Sequence, residues 1–135
     1  MSASELSRSL KIAIVDDELA VRTGLRRLCN ALGVEATAYA SGREFLASLL
    51  NGLTPDCVLL DMHMPEMSGL EVQRQMTMFT DSVAVIAITA DDSPETSVRW
   101  QARGALACQR KPIGADELLA LFASVINWQA HSRVA

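Results

Sequence analysis

Five short apolar runs, at residues 11–15, 34–39, 56–60, 83–88 and 105–109, alternate with stretches of helical pattern. Several of them, such as Cys57-Val58-Leu59-Leu60 and Val83-Ala84-Val85-Ile86-Ala87-Ile88, are continuously apolar. Strands read that way when both faces of their sheet are covered. Strands separated by helices predict a parallel sheet with crossover helices on its faces. The fold class is therefore α/β: a doubly wound three-layer α/β/α sandwich built on a five-stranded parallel sheet.

The helical stretches carry start and stop signals. Ser41-Gly-Arg-Glu44 and Ser68-Gly-Leu-Glu71 read as capping boxes. Ser93-Pro94 reads as an N-cap followed by proline at the first helical position. Gly33, Gly52 and Gly104 stand where helices stop. The last helix, about 115–128, puts Leu118, Phe122 and Val125 on one apolar face with Leu121 beside it. The chain of 135 residues suits one domain over 10–128, with an N-terminal tail at 1–9 and a C-terminal tail at 129–135. No internal repeat, low-complexity tract or linker interrupts it.

Composition narrows the function. With 4% aromatic residues the core must be aliphatic, and a formal charge of −4 without a basic run argues against a nucleic-acid surface. Cys29, Cys57 and Cys108 are far apart and read as reduced thiols. The polar start, Met1 to Arg8, lacks a signal peptide's apolar stretch, and no apolar run approaches the ~20 residues of a membrane span. The expectation is a cytoplasmic protein with no membrane contact.

Chemistry collects at the strand ends. Asp16 and Asp17 follow the first run, Asp61 ends the third, Thr89 follows the fourth and Lys111 follows the fifth. In a parallel sheet these ends share one edge, where doubly wound folds bind ligands. Three carboxylates gathered there raise one another's pKa. A hard divalent cation such as Mg²⁺, which prefers oxygen ligands, relieves that repulsion. Each residue also has a plain reading: Asp16-Asp17-Glu18 as acids in a helix's first turn, Asp61 as a turn residue, Thr89 as a β-branched strand residue, Lys111 as a solvated charge. Their joint occurrence at strand ends, in order, sets those readings aside.

With that constellation the sequence resembles the receiver domain of bacterial two-component response regulators, over about residues 10–128. The matching residues are Asp16-Asp17-Glu18, then Asp61-Met62-His63-Met64-Pro65-Glu66-Met67-Ser68-Gly69, then Thr89-Ala90, then Lys111-Pro112. The resemblance implies a CheY-like sheet of strand order 2-1-3-4-5, with Asp61 as phosphoacceptor. It implies Mg²⁺ held by Asp17 directly, by Asp16 through water, by Asp61 and by the backbone carbonyl of His63. Lys111 and Thr89 would contact phosphoryl oxygens, Ala90 would leave room for a donor, and the Lys111–Pro112 peptide would be cis. Such a domain is not an enzyme; it promotes only its own phosphorylation and dephosphorylation. Its partners would be a sensor histidine kinase or histidine phosphotransfer protein, and then a downstream protein target or an effector domain missing from this chain.

The chain departs from that family at Cys108, where Tyr or Phe is usual. Without this aromatic switch, output is expected to run through the loop after Thr89 and the helix carrying Trp100. Trp100 reads either as an exposed interaction residue or as a half-buried helix cover. The His63 side chain is rejected as a Mg²⁺ ligand, but with Asp91 it borders the acceptor and tunes attack by hydrolytic water. Met62, Met64 and Met67 read as loop packing. Kinase docking would involve Leu19, Val21, Arg22 and Leu25, with Pro112, Ile113 and Gly114.

Two other functions compete. A phosphohydrolase of the haloacid dehalogenase type also uses a strand-end Asp, then Thr or Ser, then Lys. It needs a second Asp two residues after the nucleophile, where this chain has His63, and a late acid pair, where this one comes first. A flavodoxin-like cofactor binder needs a Gly, Ser or Thr phosphate cradle after the first strand, which here reads Asp-Asp-Glu.

Overall fold

Strands β1 (Lys11–Val15), β2 (Glu35–Tyr39), β3 (Cys57–Asp61), β4 (Ala84–Thr89) and β5 (Ala107–Arg110) pair in parallel in the order β2-β1-β3-β4-β5. This is a computed structural model, and it describes residues 10–90 and 93–132. The tail assigned to 1–9, the position of Asp91 and residues 133–135 lie outside the described residues. Between and after the strands run α1 (Leu19–Ala31), α2 (Gly42–Leu50), α3 (Gly69–Met76), α4 (Pro94–Ala102) and α5 (Ala115–Ser132).

Alternate residues of each strand separate two cores. Ile12, Ile14, Leu59, Ile86 and Ile88 face α1 and α5, packing with Leu25, Cys29, Leu118, Phe122 and Val125. Ala13, Val15, Val58, Leu60, Val85 and Ala87 face the other way, against Phe45, Leu46, Val72, Met76 and Trp100. Every residue of β3 and β4 is buried, which explains their unbroken apolar runs. Each fully buried aliphatic side chain contributes about 1.5–3 kcal/mol.

The helix signals hold with informative exceptions. Ser41, Ser68 and Ser93 accept from the N–H groups of Glu44, Glu71 and Thr96. Glu44 answers by accepting from Ala40 N–H at 3.0 Å. Glu71 does not complete its box, because its carboxylate is held by Arg74 and Gln75 along the same helix. Gly33, Gly52 and Gly104 take φ of 76°, 94° and 104°, the left-handed conformation that ends a helix. The fifth run starts late: Ala105 N–H still bonds Trp100 carbonyl at the end of α4, so β5 begins at Ala107.

α5 runs to Ser132, four residues past the predicted 128, so 129–132 are helix and not tail. Nothing there breaks a helix, and Gln129 Nε2 donates to Asp56 Oδ1 at 2.8 Å, tying the extension to the start of β3.

Cys29 and Cys57 are fully buried in the core under α1. Burial pushes the Cys29 thiol from 9.0 to about 11 and the Cys57 thiol higher still. Raised thiol pKa values mean stability that is intact below about pH 9 and lost as pH rises through the folded values. The urea midpoint is therefore expected to fall between neutrality and pH 10, and Cys57→Ala is expected to flatten that decline. An equal decline in the variant would show that other groups cause it.

Candidate functional site

β1 and β3 are neighbours, but the chain leaves β1 toward β2 and leaves β3 toward β4. Their carboxyl ends flank the point where strand order reverses, and the acids lie there. Asp61 is the last residue of β3 and is 2% exposed. Asp16, just past β1, is equally buried, and Thr89 ends β4 fully buried.

Lys111 joins them. Its Nζ lies 2.9 Å from Asp16 Oδ2, 3.5 Å from Asp61 Oδ1 and 3.8 Å from Glu18 Oε1. The Lys111–Pro112 peptide is cis, as expected, and Lys111 N–H donates to Thr89 carbonyl at 2.9 Å. Burial works against the Lys111 charge, but Asp16, Asp61 and Glu18 outweigh it and hold its pKa up. The Asp61 pKa is raised, first by burial; the nearby Asp16 and Asp17 carboxylates add to this, while the His63 N–H and the Lys111 charge oppose it.

Local structure aims these groups. The Asp16 side chain turns the chain into α1, its Oδ1 accepting from Glu18 N–H at 2.9 Å. The plain reading of Asp16-Asp17-Glu18 as first-turn acids fails, because α1 begins at Leu19 and has no acid in its first turn. Arg22 Nη1 donates to Asp16 carbonyl at 2.8 Å, anchoring the acid loop to α1. His63 N–H donates to Asp61 Oδ1 at 3.0 Å.

Carboxylate oxygens of Asp16, Asp17 and Glu18 lie within 4.8 Å of one another. Asp16 Oδ2 is buried without a hydrogen bond, since its approach to Lys111 has ion-pair distance but poor bond geometry. A buried anionic oxygen with spare lone pairs, in an all-oxygen donor set, fits a hard cation. Glu18 was legible only as the third member of the acidic triplet, not as a donor. Asp61 adjoins that trio, with the Asp17 carboxylate beside it and Lys111 between it and Asp16.

The remaining residues sort as follows. Ala90 is exposed beside Thr89. Met62 and Met64 are buried in the core under α2–α4, with Met67 packed against it, as loop packing requires. Trp100 is 9% exposed and belongs to the same core, which decides between its two readings. Cys108 is half-buried against that core. Two contacts escaped sequence reasoning, although it placed both residues near the acceptor: the His63 ring Nε2 lies 3.2 Å from Thr89 Oγ1, and Gly69 packs against the acceptor's backbone. At Gly69 a Cβ would stand 2.5 Å from Asp61 carbonyl oxygen. The sequence showed Gly69 as the residue after an N-cap serine and as the end of the Asp61 motif, not as a point of close backbone approach.

Comparison with known proteins agrees with this geometry. The response regulator receiver domain family matches residues 12–123. The response regulator MprA of Mycolicibacterium vanbaalenii is 37% identical over 118 residues, which is 87% of this chain and 51% of that protein. A response regulator receiver protein from Burkholderia phymatum superposes with a TM-score of 0.78 at 36% identity, over 88% of this chain and 96% of its own. A CheY-like receiver domain protein from Methanospirillum hungatei gives 0.80 at 26% identity, over 91% and 98%. The chain belongs to the response regulator receiver domain family. It spans about half the length of the curated relatives it matches. Nothing in these comparisons supports a haloacid dehalogenase phosphohydrolase. Among the described residues, no helix is long and apolar enough to cross a membrane.

Proposed function

We propose that Asp61 accepts a phosphoryl group from a phosphohistidine donor, and that this chain is the switching module of a two-component pathway in the cytoplasm. The observation that carries the proposal is Lys111 Nζ set between Asp16 Oδ2 and Asp61 Oδ1 at the edge of the sheet. Asp61 Oδ attacks phosphorus, the new O–P bond forms as the donor's N–P bond breaks, and the imidazole departs. Phosphoryl transfer runs through a loose transition state, so positioning and charge neutralisation dominate. Lys111 supplies a point charge to one phosphoryl oxygen, and the Thr89 hydroxyl supplies a donor to another. Asp16, Asp17, Asp61 and the His63 carbonyl would hold Mg²⁺, which would offset the repulsion between the anionic acceptor and the anionic donor. The acceptor is used once per signalling cycle, so the chain is a substrate of its partner and not a turnover enzyme.

A cleft of about 460 Å³ supports kinase docking beside this site, with Val21, Gly24, Leu25, Leu28, Pro112 and Ile113 among its walls. Leu25 is its buried floor, whereas Leu19 is 69% exposed at the start of α1. An apolar partner helix would add to this surface, and a downstream protein or effector domain would read the phosphorylated state. Nucleic acid has no place in the proposal, given the acidic charge of the chain.

Phosphotransfer profiling against candidate kinases tests the proposal: Mg²⁺-dependent labelling should approach one phosphoryl per chain. Steady turnover of a generic phosphate ester would point to the hydrolase instead. Trp100 provides a second readout for the output route through α4. A phosphoryl mimic with Mg²⁺ is expected to change its emission, and constant emission would remove α4 from the route.

A further inference from the structure

His63 touches the pocket twice. Its backbone N–H donates to Asp61 Oδ1 at 3.0 Å, and its ring Nε2 lies 3.2 Å from Thr89 Oγ1. The phosphoacceptor and the hydroxyl expected to answer it are thus bridged by one residue. Thr89 is fully buried, while His63 is exposed, so the imidazole closes over the hydroxyl from the solvent side.

A hydroxyl has one proton and two lone pairs. Where Nε2 accepts, that proton is spent on the ring and is lost to a phosphoryl oxygen. Where Nε2–H donates, the hydroxyl oxygen is tethered at the ring's position. The main chain of His63 cannot follow a moving Thr89 while its N–H is bonded to Asp61. Rotation of the exposed ring removes this bond from the hydroxyl.

We propose that the His63 imidazole is a latch on Thr89: a positioning residue that favours the unphosphorylated arrangement and must let go before Thr89 can donate to a phosphoryl group on Asp61. The inference rests on the phosphoacceptor reading of Asp61. An interaction made in only one state shifts the equilibrium by its own differential free energy. A single hydrogen bond whose ring partner can return to water is worth about three- to tenfold in affinity. The latch also places a conformational threshold at Thr89, in a chain whose position 108 carries no aromatic ring.

Beryllofluoride with saturating Mg²⁺ is the probe, and amide NMR signals report the bound fraction. His63→Phe keeps a ring without the nitrogen and is expected to tighten half-saturation about three- to tenfold. His63→Gln, whose amide nitrogen occupies the place of Nε2, is expected to return toward the parent value. In a Thr89→Val background, His63→Phe is expected to change half-saturation less than about twofold, because the bonded partner is gone. Unchanged or weaker binding by His63→Phe overturns the latch, as does equal tightening in both backgrounds. A parent with no response to beryllofluoride overturns the phosphoacceptor reading itself, and the latch with it.

Discussion

Asp61→Asn is expected to abolish phosphoryl labelling and, in metal-free buffer near neutrality, to raise the thermal midpoint by about 3–6 °C. Both effects come from the same carboxylate. Asparagine keeps an oxygen for the His63 N–H but has no anionic nucleophile. In the parent, burial and two neighbouring acids raise the Asp61 pKa above its ordinary value of 3.8. A raised carboxylate pKa means that the fold favours the protonated form. Its stabilising contribution is present below the ordinary value and is lost as pH rises through the folded value. Near neutrality the ionised group therefore strains the fold, and a neutral isostere relieves it. Millimolar Mg²⁺ is expected to stabilise the parent more than the variant, because a ligand that binds the native state adds stability that grows with the logarithm of its concentration over Kd, and the parent site is the tighter one. Thermal melts with and without metal, run beside labelling, decide the matter. A variant labelled as well as the parent would end the site assignment, and one less stable than the parent would show that the charge is well compensated without metal.

Gly69→Ala is expected to lower the thermal midpoint by about 8–15 °C, the equivalent of ~2–4 kcal/mol. The added Cβ would meet the Asp61 carbonyl oxygen at 2.5 Å and Met62 Cα at 2.9 Å. These are backbone atoms, which cannot rotate aside as a side chain can. Either α3 retreats from the end of β3 or the Asp61 loop shifts, and both displace the acceptor from Lys111. Phosphotransfer should therefore slow beyond what partial unfolding explains, measurable at a temperature where the variant remains folded. Gly24→Ala is the matched control for stability alone, since Gly24 lines the proposed docking cleft: a Cβ there meets nothing within 4 Å, and alanine inside α1 is expected to add up to ~1 kcal/mol. A mild effect at Gly69 would mean that α3 moves freely against the acceptor loop.

Much of the architecture was legible because it rests on local and periodic signals. Continuous apolar runs marked the strands covered on both faces, and serines three residues before Glu44, Glu71 and Thr96 marked helix starts. The strand-end positions of Asp16, Asp61, Thr89 and Lys111 followed once the sheet was parallel. The edges of elements were less legible. Val34 N–H bonds the Cys29 carbonyl to close α1, so an apolar residue that looks like strand belongs to the turn before β2. The length of α5 depended on Gln129 reaching Asp56, residues 73 positions apart.

By itself the sequence determined the fold class, the chain order of the pocket's residues and the oxygen-rich character of their donors, because period, capping and residue chemistry are properties of neighbours along the chain. Only the tertiary structure decided which strand end faces which. It bonded the His63 ring to Thr89 across 26 residues, pressed Gly69 against the Asp61 backbone and turned Trp100 into the core. Those contacts are set by packing α3 and α4 onto the sheet, and no local pattern encodes a distance between residues that meet only after the layers close.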